Sequence, residues 1–295
     1  MRTFRFHTVD VFTEKRFGGN PLAVFSDANG LSEVEMQALA NEFNLSETAF
    51  VLQSREDHCH ARVRIFNRTS EMPFAGHPNV GTAYVLASEG TIASNAMRFE
   101  ELAGFVDVEV IRDGDGTVTG ARIAAPQPLS VGMVFAPETI AACVDLKASD
   151  LVLTVHPPIC ASVGMPYVIA EVTPSALDLA MPNLTEFAKT LSRFPSLQGR
   201  LSLHLYAKSI SGIRARMFAP LAGTIEDPAT GSANTALAAL LLLRTNLTRA
   251  SYIVLQGEKM GRPSLLNVTA EKISAEIRAT VGGSCVPVLR GEISL

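Results

Sequence analysis

Hydrophobic and polar positions near the start of the chain follow patterns typical of a mixed α and β protein. "FRFHTVDVF" and "NPLAVF" alternate with the two-residue period of strands, and the glycine-rich "GGN" joins them. "GLSEVEMQALANEFN" changes to helical spacing, with Ser32 and Glu35 in a capping-box pattern and Leu31 and Met36 placed as a hydrophobic staple. We therefore predict a helix over about residues 33 to 43, followed by further strands from "SETAFVLQS" onward.

The segment "HCHARVRIF" predicts one of these strands rather than a metal site. Alternation along a strand puts His58 and His60 on one face and Cys59 on the other, so the three side chains cannot converge on one ion. The segment "RDGDGTV" lacks the distal glutamate of a calcium loop, and Asp-Gly between two strand-like runs is typical of a hairpin. We predict no metal site.

An internal repeat organises these elements. "RVRIF" at 62–66 recurs as "RARMF" at 214–218, and "EMPFAGHPN" at 71–79 recurs as "EDPATGSAN" at 226–234. Each copy leads from a strand through a glycine-containing turn into an apolar segment, "VGTAYVLA" or "TALAALLLL". A helix that is apolar on all sides is buried on all sides. The repeat therefore predicts two similar lobes, each with a central helix wrapped by its own strands.

The starts of the two helices form a candidate anion site. The first turn of a helix leaves backbone N–H groups unpaired and carries the positive end of the helix dipole. Gly76 and Gly231 would let a ligand approach the backbone closely, and Ser232 could hydrogen-bond to it. We expect a small carboxylate between the two helix ends. The alternative is that Asp227, Thr230 and Ser232 only cap a helix.

The two copies differ where chemistry would be expected. His77 aligns with Ser232, and Asp227 aligns with Met72, so the predicted site is asymmetric. We expect His77 to titrate near neutral pH. An acid and a base on opposite sides of a bound carboxylate favour abstraction of a proton from carbon and its return elsewhere. Walker, Rossmann GxGxxG and HExxH motifs are absent from the sequence, and we predict no cofactor.

Composition excludes several other functions. The 295 residues are 47% hydrophobic and carry a net charge of −4, without a basic run, so we predict no nucleic-acid partner. The longest apolar stretch, "ALAALLLL", is far shorter than the ~20 residues that span a bilayer, and the N-terminus lacks the apolar core of a signal peptide. We predict a cytoplasmic protein with no membrane association. The four cysteines show no metal spacing, and we expect reduced thiols.

Five segments together carry a family resemblance. "VDVF…GGNPLAVF", "NLSETAFV", "PFAGHPNVGTA", "MFAP…EDPATGSAN" and "QGEKMGRPS" resemble the phenazine-biosynthesis PhzF-like family, which has the diaminopimelate-epimerase type of fold. The resemblance implies an α+β fold with two pseudo-symmetric lobes. Each lobe would be a curled, mostly antiparallel β-sheet or barrel around a central helix. It also implies an active site between the lobes and a homodimer.

The resemblance also implies an activity and a set of site residues. The activity is a cofactor-independent isomerisation, in which a carboxylate moves a proton on a small cyclic amino or hydroxy carboxylic acid. The implied catalytic residues are Glu47, as principal acid and base, His77, Asp227 and Ser232. The implied substrate-binding residues are Asn20, Ser46, Gly76, Thr230 and Gly231. Glu47 would need a raised pKa, which burial in a closed cleft could supply.

Two alternatives stay open at this point: an amino-acid epimerase or racemase, and a non-catalytic protein that binds a small ligand on the same scaffold. Neither helix-start loop contains a cysteine, which argues against a two-thiol racemase. Asn67, Arg68 and Asn79 depart from the family pattern, so the pocket wall is expected to suit a different substrate. Arg262 in "GRPS" is interpreted as an arginine that supports a loop rather than one that clamps substrate.

Prolines in "RIAAPQPLS" interrupt the strand pattern and suggest where the lobes divide. We assign residues 1–125 to the first lobe and 126–280 to the second. By analogy with the fold, residues 281–295 are expected to form a terminal strand that returns to the first lobe.

Overall fold

The structure is a computed structural model that describes residues 1–92 and 94–295. The strands of the first half of the chain are β1 (Thr3–Val11), β2 (Asn20–Phe25), β3 (Glu47–Leu52), β4 (Ala61–Phe66), β5 (Glu71–Met72), β6 (Ala96–Glu101), β7 (Gly104–Arg112) and β8 (Val118–Ala124). Those of the second half are β9 (Ser130–Val134), β10 (Ile159–Ser162), β11 (Pro166–Glu171), β12 (Leu203–Ser209), β13 (Gly212–Ala219), β14 (Thr224–Asp227), β15 (Arg249–Gln256), β16 (Ser264–Ile273) and β17 (Glu276–Ser294). The α-helices are α1 (Glu33–Phe43), α2 (Gly76–Ser88), α3 (Pro137–Cys143), α4 (Pro174–Leu179), α5 (Leu184–Arg193) and α6 (Gly231–Leu243).

The strands of the first lobe close into a barrel. β1 pairs with β2, and the ring continues through β3, β4, β6, β7 and β8. The long strand β17 closes it, because residues 280–284 pair with β8 and residues 285–294 pair antiparallel with β1. The C-terminal part of β17 therefore pairs with strands of the first lobe.

The second lobe repeats the order of the first. Its ring runs β9, β10, β11, β12, β13, β15 and β16, and it ends on the first half of β17. Parallel pairs stand at the same places in both rings, β2 with β3 and β4 with β6 in the first, β11 with β12 and β13 with β15 in the second. The predicted α+β fold with two pseudo-symmetric lobes is confirmed. The division into 1–125, 126–280 and 281–295 stays a prediction.

Each barrel encloses one helix of the repeat. α2 and α6 have 13 residues each, and all of them are buried except the last. Apolar side chains around the whole circumference of these helices pack against the inner faces of the strands in one common core. The prediction of two fully wrapped helices is confirmed.

An ion pair is duplicated along with the strands. Arg64 on β4 bonds Glu71 through both carboxylate oxygens, at 2.7 and 2.5 Å, and Arg216 on β13 bonds Glu226 in the same way, at 2.8 Å for both. Paired guanidinium–carboxylate bonds fix orientation as well as distance. Each ion pair fixes the position of the short strand before a central helix, β5 before α2 and β14 before α6. The same interaction therefore positions the start of both helices.

Outside the barrels, α1 has the predicted bounds, and the capping box between Ser32 and Glu35 is present. The hairpin predicted at "DGDG" is also present, and Asp113 closes the turn between β7 and β8. The strand predicted over "HCHARVRIF" begins only at Ala61, so His58 and Cys59 lie outside it. Within residues 1–92 and 94–295 no group of three or more potential metal ligands converges, and no helix is long and apolar enough to cross a membrane.

Candidate active site

A cleft between the two lobes opens where α2 and α6 begin. Its lining includes seven of the nine residues predicted from the sequence; Asn20 and Ser46 lie just behind the wall, in contact with Asp227. The lining residues are Glu47, Asn67, Met72, Ala75, Gly76, His77, Met165, Tyr167, Arg200, Ser202, Met217, Ala219, Ala222, Thr224, Asp227, Thr230, Gly231 and Ser232.

The helix starts meet at their glycines. A Cβ on Gly76 would lie only 2.8 Å from both the Cα of Gly231 and the backbone nitrogen of Ser232. The sequence suggested that glycine is needed here so that a ligand can approach the backbone. The structure adds a different reason, since a side chain on Gly76 would force the two helix ends apart. Their free N–H groups and positive dipole ends are thereby brought together at one point.

Glu47 and His77 face each other across this point. Glu47 is the first residue of β3, and His77 lies in the first turn of α2. The Oε2 atom of Glu47 is 3.5 Å from the Nε2 atom of His77. Both atoms are buried, and within the described part of the chain neither has a hydrogen-bond partner. A buried polar atom without a partner is uncommon and calls for a ligand or solvent.

The surroundings of His77 define its protonation. The amide nitrogen of Asn20 lies 3.2 Å from its Nδ1 and cannot accept a hydrogen bond, so the contacts favour the neutral tautomer that carries its proton on Nε2, toward Glu47. Burial lowers the pKa of His77 to about 3. The expectation that His77 titrates near neutral pH is therefore wrong, because complete burial disfavours the charged imidazolium and the ring stays neutral.

Asp227, at the end of β14, is held by three donors. Asn20 and Ser46 donate to its Oδ1 at 2.9 and 3.0 Å, and the Thr230 hydroxyl donates to its Oδ2 at 2.5 Å. Burial raises the pKa of Asp227 to about 6, although these hydrogen bonds and the charge of Arg68 act to lower it. Three of the predicted site residues therefore converge on a fourth.

The pKa of Glu47 is raised well above its ordinary value of 4.5. Burial is the main cause, the charge of Asp227 adds to it, and the charge of Arg68 opposes it. This is the direction that an acid and base working near neutral pH requires. Arg68 also bridges the lobes, because its guanidinium donates to the carbonyls of Leu45 and Gly223.

Sequence reasoning missed two polar side chains that shape the site. The Tyr167 hydroxyl on β11 lies 2.6 Å from the Oγ atom of Ser232, and Tyr167 lies outside the five segments that carry the family resemblance. Gln256 on β15 accepts from the backbone N–H of Thr230 and donates to the carbonyl of Asp227, so it fixes the loop before α6. The only available signal for Gln256 was its place at the start of "QGEKMGRPS".

Arg262 does not line the cleft but contacts the loop before Asn20. It donates to the carbonyls of Gly18 and Gly19 and pairs with Asp10. The interpretation of this arginine as a support for the "GGN" loop agrees with these contacts, and the loop in turn carries Asn20 toward Asp227 and His77.

Comparison with known proteins shows the family to which the chain belongs. The family model described as "Phenazine biosynthesis-like protein" (PhzC-PhzF) matches residues 9–291. A protein of Mesorhizobium japonicum named an uncharacterized isomerase is 35% identical over 99% of both chains. The trans-2,3-dihydro-3-hydroxyanthranilate isomerase of Pseudomonas aeruginosa is 34% identical over 93% of both.

Among solved structures, the PhzF-family phenazine biosynthesis protein of Bacillus anthracis superposes over 100% of both chains with a TM-score of 0.86 and 27% identity. Family model, relatives and fold agree over nearly the whole length of the chain. The chain therefore belongs to the phenazine biosynthesis-like PhzC-PhzF family and is a small-molecule isomerase or epimerase.

Proposed function

We propose that this protein is a cofactor-independent isomerase that moves a proton on a small, cyclic amino or hydroxy carboxylic acid held between the two helix starts. One observation carries the proposal. Glu47 Oε2 and His77 Nε2 are 3.5 Å apart and buried, without a hydrogen-bond partner among the residues that the structure describes, beside the joined N-termini of α2 and α6. A proton-transferring carboxylate and a hydrogen-bond donor are therefore directed at the same small space.

The proposed reaction begins with the substrate carboxylate at the free N–H groups of the two helix starts. Glu47, ionised, takes a proton from a substrate carbon, and the electron pair left behind delocalises toward the acidic group of the substrate. The neutral His77 Nε2–H donates a hydrogen bond to the developing negative charge. Glu47, now protonated, returns the proton to another carbon of the same molecule, so the substrate is isomerised without a net change in composition.

Asp227 has a supporting role in this proposal. Its two oxygens are occupied by Asn20, Ser46 and Thr230, so it is less available to substrate than Glu47. Its negative charge nevertheless raises the pKa of Glu47. A two-thiol racemase finds no support, because none of the described lining residues is a cysteine.

The test is proton NMR in heavy water with trans-2,3-dihydro-3-hydroxyanthranilate, the substrate named for the Pseudomonas relatives, and a panel of small amino and hydroxy acids. The wild type should bring deuterium into one compound and change its double-bond position. Glu47→Gln should lose this exchange by at least about a hundredfold. Glu271→Gln, an exposed glutamate on β16, is the matched control and should exchange like the wild type. A folded Glu47→Gln variant with full exchange would exclude the proposed role.

The double-bond position separates isomerisation from epimerisation. Deuterium that enters at the original carbon, with the opposite configuration and no shift of the double bond, would indicate the epimerase. Ligand binding without exchange in any compound would indicate a binding protein.

We further propose that the protein is a cytoplasmic homodimer. All five residues of β9 are exposed, including Val131, Met133 and Val134, and an exposed apolar strand at a sheet edge offers unpaired N–H and C=O groups on which another chain can pair. A second copy of this protein is the proposed occupant. Sedimentation analysis should show a dimer that Met133→Glu converts to a monomer, and a monomeric wild type would contradict the proposal.

A further inference from the structure

Arg200 lies in the active-site cleft without an acidic partner. Its Nη1 atom contacts the sulfur atoms of Met165 at 3.2 Å and Met72 at 3.8 Å. Within the described residues no carboxylate lies within 4 Å of its guanidinium. Thioether sulfurs are weak acceptors, so among the described residues the guanidinium of this half-buried arginine has no strong side-chain acceptor.

The other arginines near the two helix starts differ from Arg200. Arg216 is saturated by Glu226 and by the carbonyls of Leu177 and Ala180. Arg68 is bonded to three carbonyls and the hydroxyl of Thr224. Both therefore support the walls. Arg200 is the one lysine or arginine among the described lining residues, and its contacts leave it available to a ligand.

Arg200 is also separate from the catalytic carboxylates. Arg68 is the cation whose charge opposes the raised pKa values of Glu47 and Asp227, whereas the charge of Arg200 acts on Tyr167. Methionine and alanine side chains, Met72, Met165, Met217, Ala219 and Ala222, supply the apolar part of the cleft wall. The cleft thus combines an anion site at the helix starts, an apolar wall and, in Arg200, a cationic side chain that could hold a second anionic group.

We propose that Arg200 binds a second carboxylate of the substrate, so that the natural substrate is a small amino or hydroxy acid with two carboxylates. This inference rests on the proposed function for the position of the first carboxylate. A guanidinium binds a carboxylate through two parallel hydrogen bonds, a geometry that a carboxamide or a methyl group cannot reproduce. Arg200 would therefore select acids that carry the second charge and would orient them with the reacting carbon at Glu47.

The test measures binding by calorimetry, so that it does not depend on turnover. The probes are pairs that differ in the distal group: aspartate with asparagine, glutamate with glutamine, and two cyclic pairs, pyrrolidine-2,4-dicarboxylate with proline and piperidine-2,6-dicarboxylate with piperidine-2-carboxylate. At least one dicarboxylate should bind the wild type at least about tenfold more tightly than its uncharged partner, as expected for a charge-assisted hydrogen-bond pair. Arg200→Met should remove this preference, and Arg200→Lys should retain part of it.

Two controls separate this inference from the proposed function. Arg193→Met, an exposed arginine at the end of α5, should keep the preference, and so should Glu47→Gln, which retains the binding site but loses the base. If Glu47→Gln loses deuterium exchange but still prefers dicarboxylates, the role of Arg200 in binding stands independently of the proposed base. Equal binding of acid and uncharged partner by the wild type, no binding of any dicarboxylate at millimolar concentration, or equal loss of both partners in Arg200→Met would each overturn it.

Discussion

Gly76 and Gly231 are in backbone contact at the centre of the molecule, where a Cβ on Gly76 would lie 2.8 Å from the Cα of Gly231. The two glycines begin the two central helices, and each helix is enclosed by its own barrel. The contact therefore sets the distance between the lobes and the width of the site between them. The proposed site and the packing of the two helices therefore depend on the same pair of residues.

Gly76→Ala should damage both stability and activity. The added methyl group meets backbone atoms of Gly231 and Ser232, which cannot rotate away, so the helix ends must separate. Overpacking of this kind costs about 1–3 kcal/mol, to be measured by urea unfolding, and we expect exchange activity to fall by more than about tenfold. Gly114→Ala is the matched control, because a Cβ there meets nothing within 4 Å. Wild-type activity in Gly76→Ala would show that this glycine contact does not determine the width of the active site.

The coupled carboxylates predict the acidic limb of the pH profile. Glu47 must be ionised to act as a base, and its pKa is raised well above 4.5, while that of Asp227 is raised to about 6. The value of kcat/KM should therefore rise with pH along a limb whose midpoint lies above 4.5 and belongs to the pair. Asp227→Asn removes a negative charge, so the limb should move to lower pH. A limb that moves to higher pH, or stays in place, would contradict this coupling.

Arg68 should shift the same limb in the opposite direction. Its positive charge opposes the raised pKa values of both carboxylates, so Arg68→Met should move the limb to higher pH. Arg68→Lys keeps the charge but not the fork that reaches Leu45 and Gly223, and it should restore the midpoint while lowering kcat/KM. The measurement is the pH profile of deuterium exchange in each variant. An identical midpoint in wild type and Arg68→Met would leave Arg68 with a purely structural role.

Glu101 predicts a pH dependence of stability. It ends β6, as Gln256 ends β15 in the other lobe, and both of its carboxylate oxygens are buried, with the Asn79 side chain as a neighbour that acts to lower its pKa. Burial raises its pKa well above 4.5. The unfolded chain therefore releases the proton of Glu101 at a lower pH than the folded protein does. The free energy of unfolding is undiminished below about pH 4.5 and falls as the pH rises toward the folded-state pKa.

Glu101→Gln should remove this loss, because an amide of the same shape has no charge to bury. The variant should unfold at a higher urea concentration than the wild type near neutral pH, and its stability should vary less between pH 5 and 7. Glu109→Gln on β7, an exposed carboxylate, is the control and should follow the wild type. A wild type whose stability rises with pH in this range, relative to Glu101→Gln, would contradict the prediction.

Local patterns in the sequence determined the elements and the symmetry of this protein. Residues only a few positions apart determine the capping box of α1, the hairpin at Asp113 and the apolar circumference of α6. These short-range patterns can therefore be read directly from the sequence. The repeat around Gly76 and Gly231 predicted two lobes for the same reason. Family motifs then indicated Glu47, which local chemistry alone could not distinguish from other acids.

Only the tertiary structure decided which side chains meet and in what state. Asn20 and Asp227 are 207 positions apart yet share a hydrogen bond, and Tyr167 and Arg200 lie outside the five segments that carry the family resemblance. The neutral state of His77 follows from complete burial, which the sequence does not specify at a single position. Contacts between distant segments and the solvent they exclude depend on how the two barrels close around their helices, and that closure is a property of the whole chain.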